Sequence, residues 1–277
     1  VKILISADME GATGVTWPHD VLPGHAQWER CRSMFTSDVQ AAVLGFFDGG
    51  ADEVLINEAH WTMRNLFLER LDPRAQMLTG RHKSLSMVEG VQHGDVDGIA
   101  FLGYHAGAGM PGVLAHTYLA NSLTGVWLDG VRASEGLLNA RVVAEYGVPV
   151  VLVTGDDVAC EDSKGYAPEA ERVAVKDHVS RYAAVCRTPE RTAADIRTAA
   201  RDATRLAVRH EPVQAGPHTV DLEFDAAHLA AAVTVVPGVA LTGDLRASYT
   251  SETMYEAIRT FKAVTTVAQN AVEETYG

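Results

Sequence analysis

Cysteine is scarce in this chain, and its placement excludes two kinds of architecture. Cys31, Cys160 and Cys186 are odd in number, widely separated and outside any Cys-x-x-Cys spacing. They support neither a disulfide framework nor a thiolate zinc site, and are expected as isolated thiols in a reducing compartment. Basic charge is also short: 23 Lys and Arg stand against 36 Asp and Glu, a formal net charge of −13. That balance repels a phosphate backbone and no basic stripe offsets it, so nucleic acid is not expected as a partner. Long apolar runs are missing too. None approaches the roughly 18 to 20 residues that cross a bilayer, and no membrane association is expected. The chain opens on the strand-like Val1-Lys2-Ile3-Leu4-Ile5, without the basic segment, apolar stretch and cleavage site of a secretory leader. The expectation is a cytoplasmic protein.

What is present is ordinary globular material. The 277 residues are 47% hydrophobic, enough for one large α/β domain or a main domain with a smaller lobe. The first hundred residues repeat one pattern: a short apolar run rich in β-branched residues, a polar cluster, then a helical stretch. This is the grammar of βαβ units. Residues 1–7, Val54–Asn57, Ile99–Tyr104 and Val150–Thr154 read as buried strands, and His25–Phe47 as a helix stopped at Gly49-Gly50. Gly125–Ala133 reads as a hairpin about Asp129-Gly130, and Ser134 as the cap of a helix running from Glu135 to about Tyr146. Strands buried on both faces need helices on both sides. The expectation is therefore a three-layer α/β/α fold with a mostly parallel central sheet over residues 1–187. Residues 188–277 are expected to add a smaller α/β portion, either as a lobe of its own or as part of the same domain. There Pro189–Arg209 reads as a helix, followed by a strand at Thr219–Phe224 and helices at Ala226–Ala232 and Ser251–Tyr276.

Open α/β sheets collect ligands beyond the carboxyl ends of their strands. Asp8 and Glu10 follow the first strand with one residue between them, so in extended backbone their side chains point the same way. Two carboxylates on one side repel unless a cation or protons lie between them. Asn57-Glu58-Ala59-His60 follows the second strand and Gly103-Tyr104-His105 the third. A mixed carboxylate and imidazole set is the donor chemistry of zinc more than of magnesium. Taken singly, each residue has a plainer reading, as a cap, a solvated loop charge or a packed histidine. Recurrence at three successive strand ends shifts the weight towards a metal. His116, after a Pro-Gly turn, reads equally as a base, an electrophile or a packed histidine. Glu135 beside a helix start also complements the helix dipole. The pair Asp156-Asp157 reads as a cap plus a solvated charge and stays outside the metal set. No Gly-x-Ser-x-Gly elbow, catalytic-cysteine signature, P-loop or dinucleotide fingerprint occurs.

A resemblance rests on Ser6-Ala7-Asp8-Met9-Glu10-Gly11, Asn57-Glu58-Ala59-His60, Ser86-Met87-Val88-Glu89-Gly90, Phe101-Leu102-Gly103-Tyr104-His105-Ala106 and Pro111-Gly112-Val113. It continues through Ala115-His116, Glu135-Gly136-Leu137-Leu138-Asn139-Ala140, Val153-Thr154-Gly155-Asp156-Asp157 and Ala174-Val175-Lys176. The chain resembles the DppA-type zinc-dependent D-aminopeptidases, also called the dipeptide transport protein family, in order over at least residues 1–190. By that resemblance Asp8, Glu10, His60, His105 and Glu135 stand at the positions of two zinc ions' ligands, with Asp8 fitted to bridge. His116 stands at the position of the family's proposed catalytic histidine. The resemblance further implies a short peptide or aminoacyl amide as substrate and a homo-oligomer, a decamer of stacked rings. Gly107-Ala108-Gly109 departs from the family pattern and bears on substrate choice more than on metal binding. Two rival functions stay open on the sequence alone: a dimetal phosphatase or nucleotide-processing hydrolase, and a non-catalytic peptide-binding protein.

Overall fold

Strand alternation sets the architecture. In the computed structural model, which describes residues 1–213 and 216–272, Ile3, Leu4 and Ile5 are all fully buried. Successive side chains point to opposite faces, so a run buried throughout demands cover on both. In chain order the elements are β1 (Lys2–Ala7), α1 (Ala26–Asp48), β2 (Glu53–Glu58), β3 (Gln76–Leu78), β4 (Gly98–Tyr104), β5 (Leu123–Leu128) and β6 (Val131–Arg132). They continue with α2 (Glu135–Ala144), β7 (Val150–Asp156), α3 (Asp157–Asp162), β8 (Glu171–Ser180), β9 (Ala183–Cys186) and α4 (Pro189–Ala203). The chain closes with β10 (His218–Phe224), α5 (Ala227–Ala232), β11 (Ala240–Gly243), β12 (Arg246–Ser251) and α6 (Met254–Ala271).

The main sheet has the order β3-β2-β1-β4-β7-β8-β9. Its neighbours pair in parallel except β8 with β9, which form an antiparallel edge hairpin. On one face Ile3, Ile5, Ala100 and Leu102 join a core with Phe35, Val39 and Val43 of α1 and Ile196 and Ala200 of α4. On the other, Leu4, Phe101 and Val153 join a core with Leu138 and Val142 of α2, Leu222 and Phe224 of β10, and Phe261 of α6. The expected α/β layering with helices on both sides is what the structure has.

The later portion is built around a second, antiparallel sheet of order β11-β12-β10-β5-β6. This sheet takes β5 and β6 from before residue 187, while α4, from after it, packs on α1 of the main layer. Two helix readings shorten. The helix expected over Pro189–Arg209 ends at Ala203 and tightens into a 3-10 turn at Thr204–Leu206. The reason is local competition: Thr204 Oγ1 bonds back to the Ala200 carbonyl at 3.0 Å, and Arg209 is drawn off to the Tyr146 carbonyl at 3.0 Å. In the last helix, Ser251 belongs to β12 and the Thr253 hydroxyl caps α6 by accepting from the Glu256 amide at 3.1 Å. Tyr276, where that helix was expected to end, lies outside the described residues.

Candidate metal centre

Strand register brings the chemistry together. Ala7 pairs with Glu58 of β2 on one side and Leu102 of β4 on the other. Asp8 and Glu10, His60 and His105 therefore leave the carboxyl ends of three adjacent strands at one level. Glu135 arrives from the opposite layer as the first residue of α2, whose start is capped by Ser134. Carboxylate or imidazole atoms of Asp8, Glu10 and His60 lie within 4.8 Å of one another, as do those of Asp8, His105 and Glu135, and those of Glu10, His105 and His116. All six residues singled out in the sequence thus meet in one place. Five are buried, and His116 keeps 16% of its side chain exposed.

Close packing of the main chain makes this meeting possible. Gly11 donates to the Gly103 carbonyl at 2.7 Å and Asp8 to the Leu102 carbonyl at 2.8 Å. A Cβ on Gly103 would lie 2.1 Å from the Asp8 carbonyl, and one on Gly11 would lie 2.0 Å from that of Tyr104. Gly103 also has φ +69°, a conformation that costs glycine little. These glycines bring the two ligand-bearing loops against each other.

The histidines are oriented by one shared device. His60 Nε2 is 2.8 Å from the Val21 carbonyl, His105 Nδ1 is 3.0 Å from that of Ala106, and His116 Nδ1 is 2.8 Å from that of Leu114. A carbonyl only accepts, so each of these nitrogens carries the proton, and in a neutral ring the other nitrogen presents a lone pair. Those lone pairs converge on carboxylates. His60 Nδ1 lies 3.4 Å from Asp8 Oδ1 and 2.9 Å from Glu10 Oε2. His105 Nε2 lies 3.4 Å from Asp8 Oδ2 and 3.7 Å from Glu135 Oε2. Asp8 Oδ2, Glu10 Oε2 and His105 Nε2 are buried without a hydrogen-bond partner. Buried acceptors aimed at one another are unfavourable unless a cation or protons sit between them.

The electrostatics of the site follow from that crowding. Burial acts to lower the His60 pKa, but the Glu10 and Asp8 carboxylates outweigh it and hold it well above the usual value. His105 behaves likewise, raised to about 10 against burial by Glu135 and Asp8. Burial pushes Glu135 up to about 7, while Glu10 is held well below the usual range because the three imidazoles overcome its desolvation. Protons would fill the gaps that a divalent cation fits. His116 differs: burial, then the neighbouring His105, lowers it to about 4. Its ring stacks on His105 with centroids 4.3 Å apart, and its Nε2 is 3.8 Å from Glu10 Oε1.

Neighbouring polar residues turn out to be supports. Glu58 accepts from the Asn65 amide and, at 3.1 Å, from that of Leu66, which shapes the loop after His60. The Tyr118 amide donates to Glu135 Oε1 at 2.7 Å and fixes that carboxylate. Asp156 caps α3 through the Ala159 amide at 2.8 Å, as a cap reading anticipates, and also accepts from Val113 at 2.7 Å in the segment leading to His116. Leu114 and Tyr118 sit at φ +52° and +57°, a left-handed strain that no local pattern announced. Lys176, which in the sequence stands out only as part of a matching stretch, lies beneath the site with its ammonium on three main-chain carbonyls.

Fold and site together define an α/β protein with a buried carboxylate and imidazole centre of the metallohydrolase kind. A family model described as D-aminopeptidase matches residues 1–263, and the chain belongs to this family of peptidases. It is 31% identical over 270 residues to a D-aminopeptidase of Bacillus subtilis (strain 168), covering 97% of this chain and 98% of that one. It is also similar, with a TM-score of 0.90 and 31% identity, to a solved structure covering 97% of this chain and 98% of the other. That protein is the Zn-dependent D-aminopeptidase DppA from Bacillus subtilis, described as a self-compartmentalizing protease. Family membership replaces both rival functions with a peptidase. Among the described residues no helix is long and apolar enough to cross a membrane.

Proposed function

We propose that this enzyme is a zinc-dependent aminopeptidase that releases the N-terminal residue, of D configuration, from short peptides or aminoacyl amides. The observation that carries the proposal is the sharing of Asp8. Its Oδ1 faces His60 and its Oδ2 faces His105, each at 3.4 Å, so one carboxylate serves two triads. Glu10 and His60 would complete the set that holds one ion, and His105 and Glu135 the set that holds the other. When bound, zinc supplies a Lewis acid that acidifies water and polarises a carbonyl.

The chain's own part is orientation and proton transfer. Main-chain carbonyls anchor the far nitrogen of each liganding imidazole and so fix its tautomer. His116 is anchored in the same way through Nδ1, which leaves Nε2 as a proton acceptor. We assign His116 the proton of the attacking water, taken at Nε2 and passed to the departing amine. Residues 1–187 hold all six site residues and form the proposed catalytic unit, with 188–277 completing the second sheet.

Homo-oligomeric assembly belongs to the same proposal and is supported by similarity to the self-compartmentalizing protease, while the decamer rests on the family resemblance. A cytoplasmic setting is supported by three free thiols, two of them buried. The substrate reading is tested with purified enzyme and matched pairs of D- and L-aminoacyl amides. Turnover of the D member alone is expected; preference for the L member would overturn it.

A further inference from the structure

Lys176 is fully buried in β8, an environment that strongly disfavours an ammonium unless its donors are met. All three donors are met, and all by one turn: Nζ lies 2.7 Å from the carbonyl of Glu10, 2.9 Å from that of Ala12 and 2.6 Å from that of Val15. An ammonium has three protons, so these bonds use it completely. From the other side Asp38 of α1 grips the same turn, accepting from the Thr13 amide and hydroxyl at 2.9 Å each. Gly11 is pinned against Gly103 at 2.7 Å. Residues 10–15 are thus held between a buried cation, a buried carboxylate and the end of β4. The turn carries Glu10, whose Oε2 faces His60 Nδ1 at 2.9 Å.

We propose that Lys176 is a positioning residue for the metal centre: its ammonium fixes the Glu10–Val15 turn so that the Glu10 carboxylate is set opposite His60 before an ion arrives. A neutral side chain of similar length would fill the space yet leave three carbonyls unpaired, and the turn would have to rotate to find other donors. Asp8, on the end of β1 and bonded to Leu102, would keep its place. The effect should therefore fall on the ion shared by Asp8, Glu10 and His60, and spare the one held by Asp8, His105 and Glu135.

The inference rests on the zinc reading above, and its test separates the two. Metal-free wild type, Lys176→Met and Lys176→Gln are titrated with zinc against a chromophoric chelator, with the melting temperature of each metal-free protein as control. Wild type should take up two ions. Both variants should bind one normally and the other roughly 10- to 100-fold more weakly, the usual cost of losing support behind a ligand. A wild type that takes up no zinc would sink the zinc reading, and this inference with it. Wild-type binding with both ions held equally well by the folded variants would overturn the inference alone, and a lowered melting temperature would then mark Lys176 as merely structural. Failure of both variants to fold would overturn it as well, because a lysine needed by the whole fold is not specific to the metal turn.

Discussion

His60 Nδ1 stands 2.9 Å from Glu10 Oε2 while its Nε2 is committed to the Val21 carbonyl at 2.8 Å. In a neutral ring two acceptors would face each other at hydrogen-bond distance, which only a proton or a cation relieves. The metal-free site therefore holds protons: His60 is raised well above its usual value and His105 to about 10. On the proposed reading, zinc would have to displace them.

The sign of the pH dependence follows. At pH 7 both imidazoles are protonated without metal, so zinc competes with protons and its apparent affinity rises with pH. Calorimetry in buffers of different ionisation enthalpy should show on the order of two protons released per subunit on loading. Uptake with no proton release would mean that the histidines are not exchanging protons for metal.

Asp8 and Glu10 should differ on substitution. Asp8 faces both His60 and His105, whereas Glu10 is placed to serve the His60 side and reaches His116 at 3.8 Å. Asp8→Ala is expected to lose both ions and Glu10→Ala chiefly one, as read by elemental analysis of the purified variants. Two ions retained in Asp8→Ala would contradict a bridging carboxylate.

At His116, metal binding and turnover should separate. The ring is anchored at Leu114 and lowered to about 4 by burial and His105, so it is neutral at pH 7 with Nε2 free. His116→Ala should keep its zinc and its fold while turnover falls by roughly 100- to 10,000-fold. Zinc lost along with activity would make His116 a ligand, and unchanged turnover would make it a packed histidine.

Much of this centre was legible because its signals are local. The x-spaced carboxylates of Asp8 and Glu10 and the histidines placed just past buried strands each need only a few neighbouring residues to read, whereas Ser134 ahead of Glu135 marks only a helix start, and Glu135 and His116 join the set through the family resemblance. The rest depends on contacts distant in sequence. Lys176 reaches carbonyls more than 160 positions away, and nothing near it announces that partner. The second sheet pairs β5 with β10, strands from either side of residue 187, and periodicity within each strand carries no sign of that pairing. The orientation of His116 depends on Leu114 at φ +52°, a conformation no leucine signals.

Asp38 allows a stability test away from the ligands. Burial raises it to about 6 from an ordinary 3.8, even with Thr13 donating to it. A raised carboxylate contributes most to stability below the unfolded value and loses that contribution as pH rises through the folded one. Asp38→Asn should therefore gain on wild type by up to about 3 kcal/mol between pH 4 and pH 7, by denaturant unfolding at each pH. A difference independent of pH would show that Asp38 stays ionised throughout.

The central claim is that peptide hydrolysis here depends on zinc held by Asp8, Glu10, His60, His105 and Glu135. The most direct measurement strips the enzyme with a chelator, removes the chelator, and follows hydrolysis of a D-aminoacyl amide while zinc is returned. The account predicts no hydrolysis in the stripped enzyme and recovery that completes at two zinc ions per subunit; full activity in rigorously metal-free enzyme would contradict it.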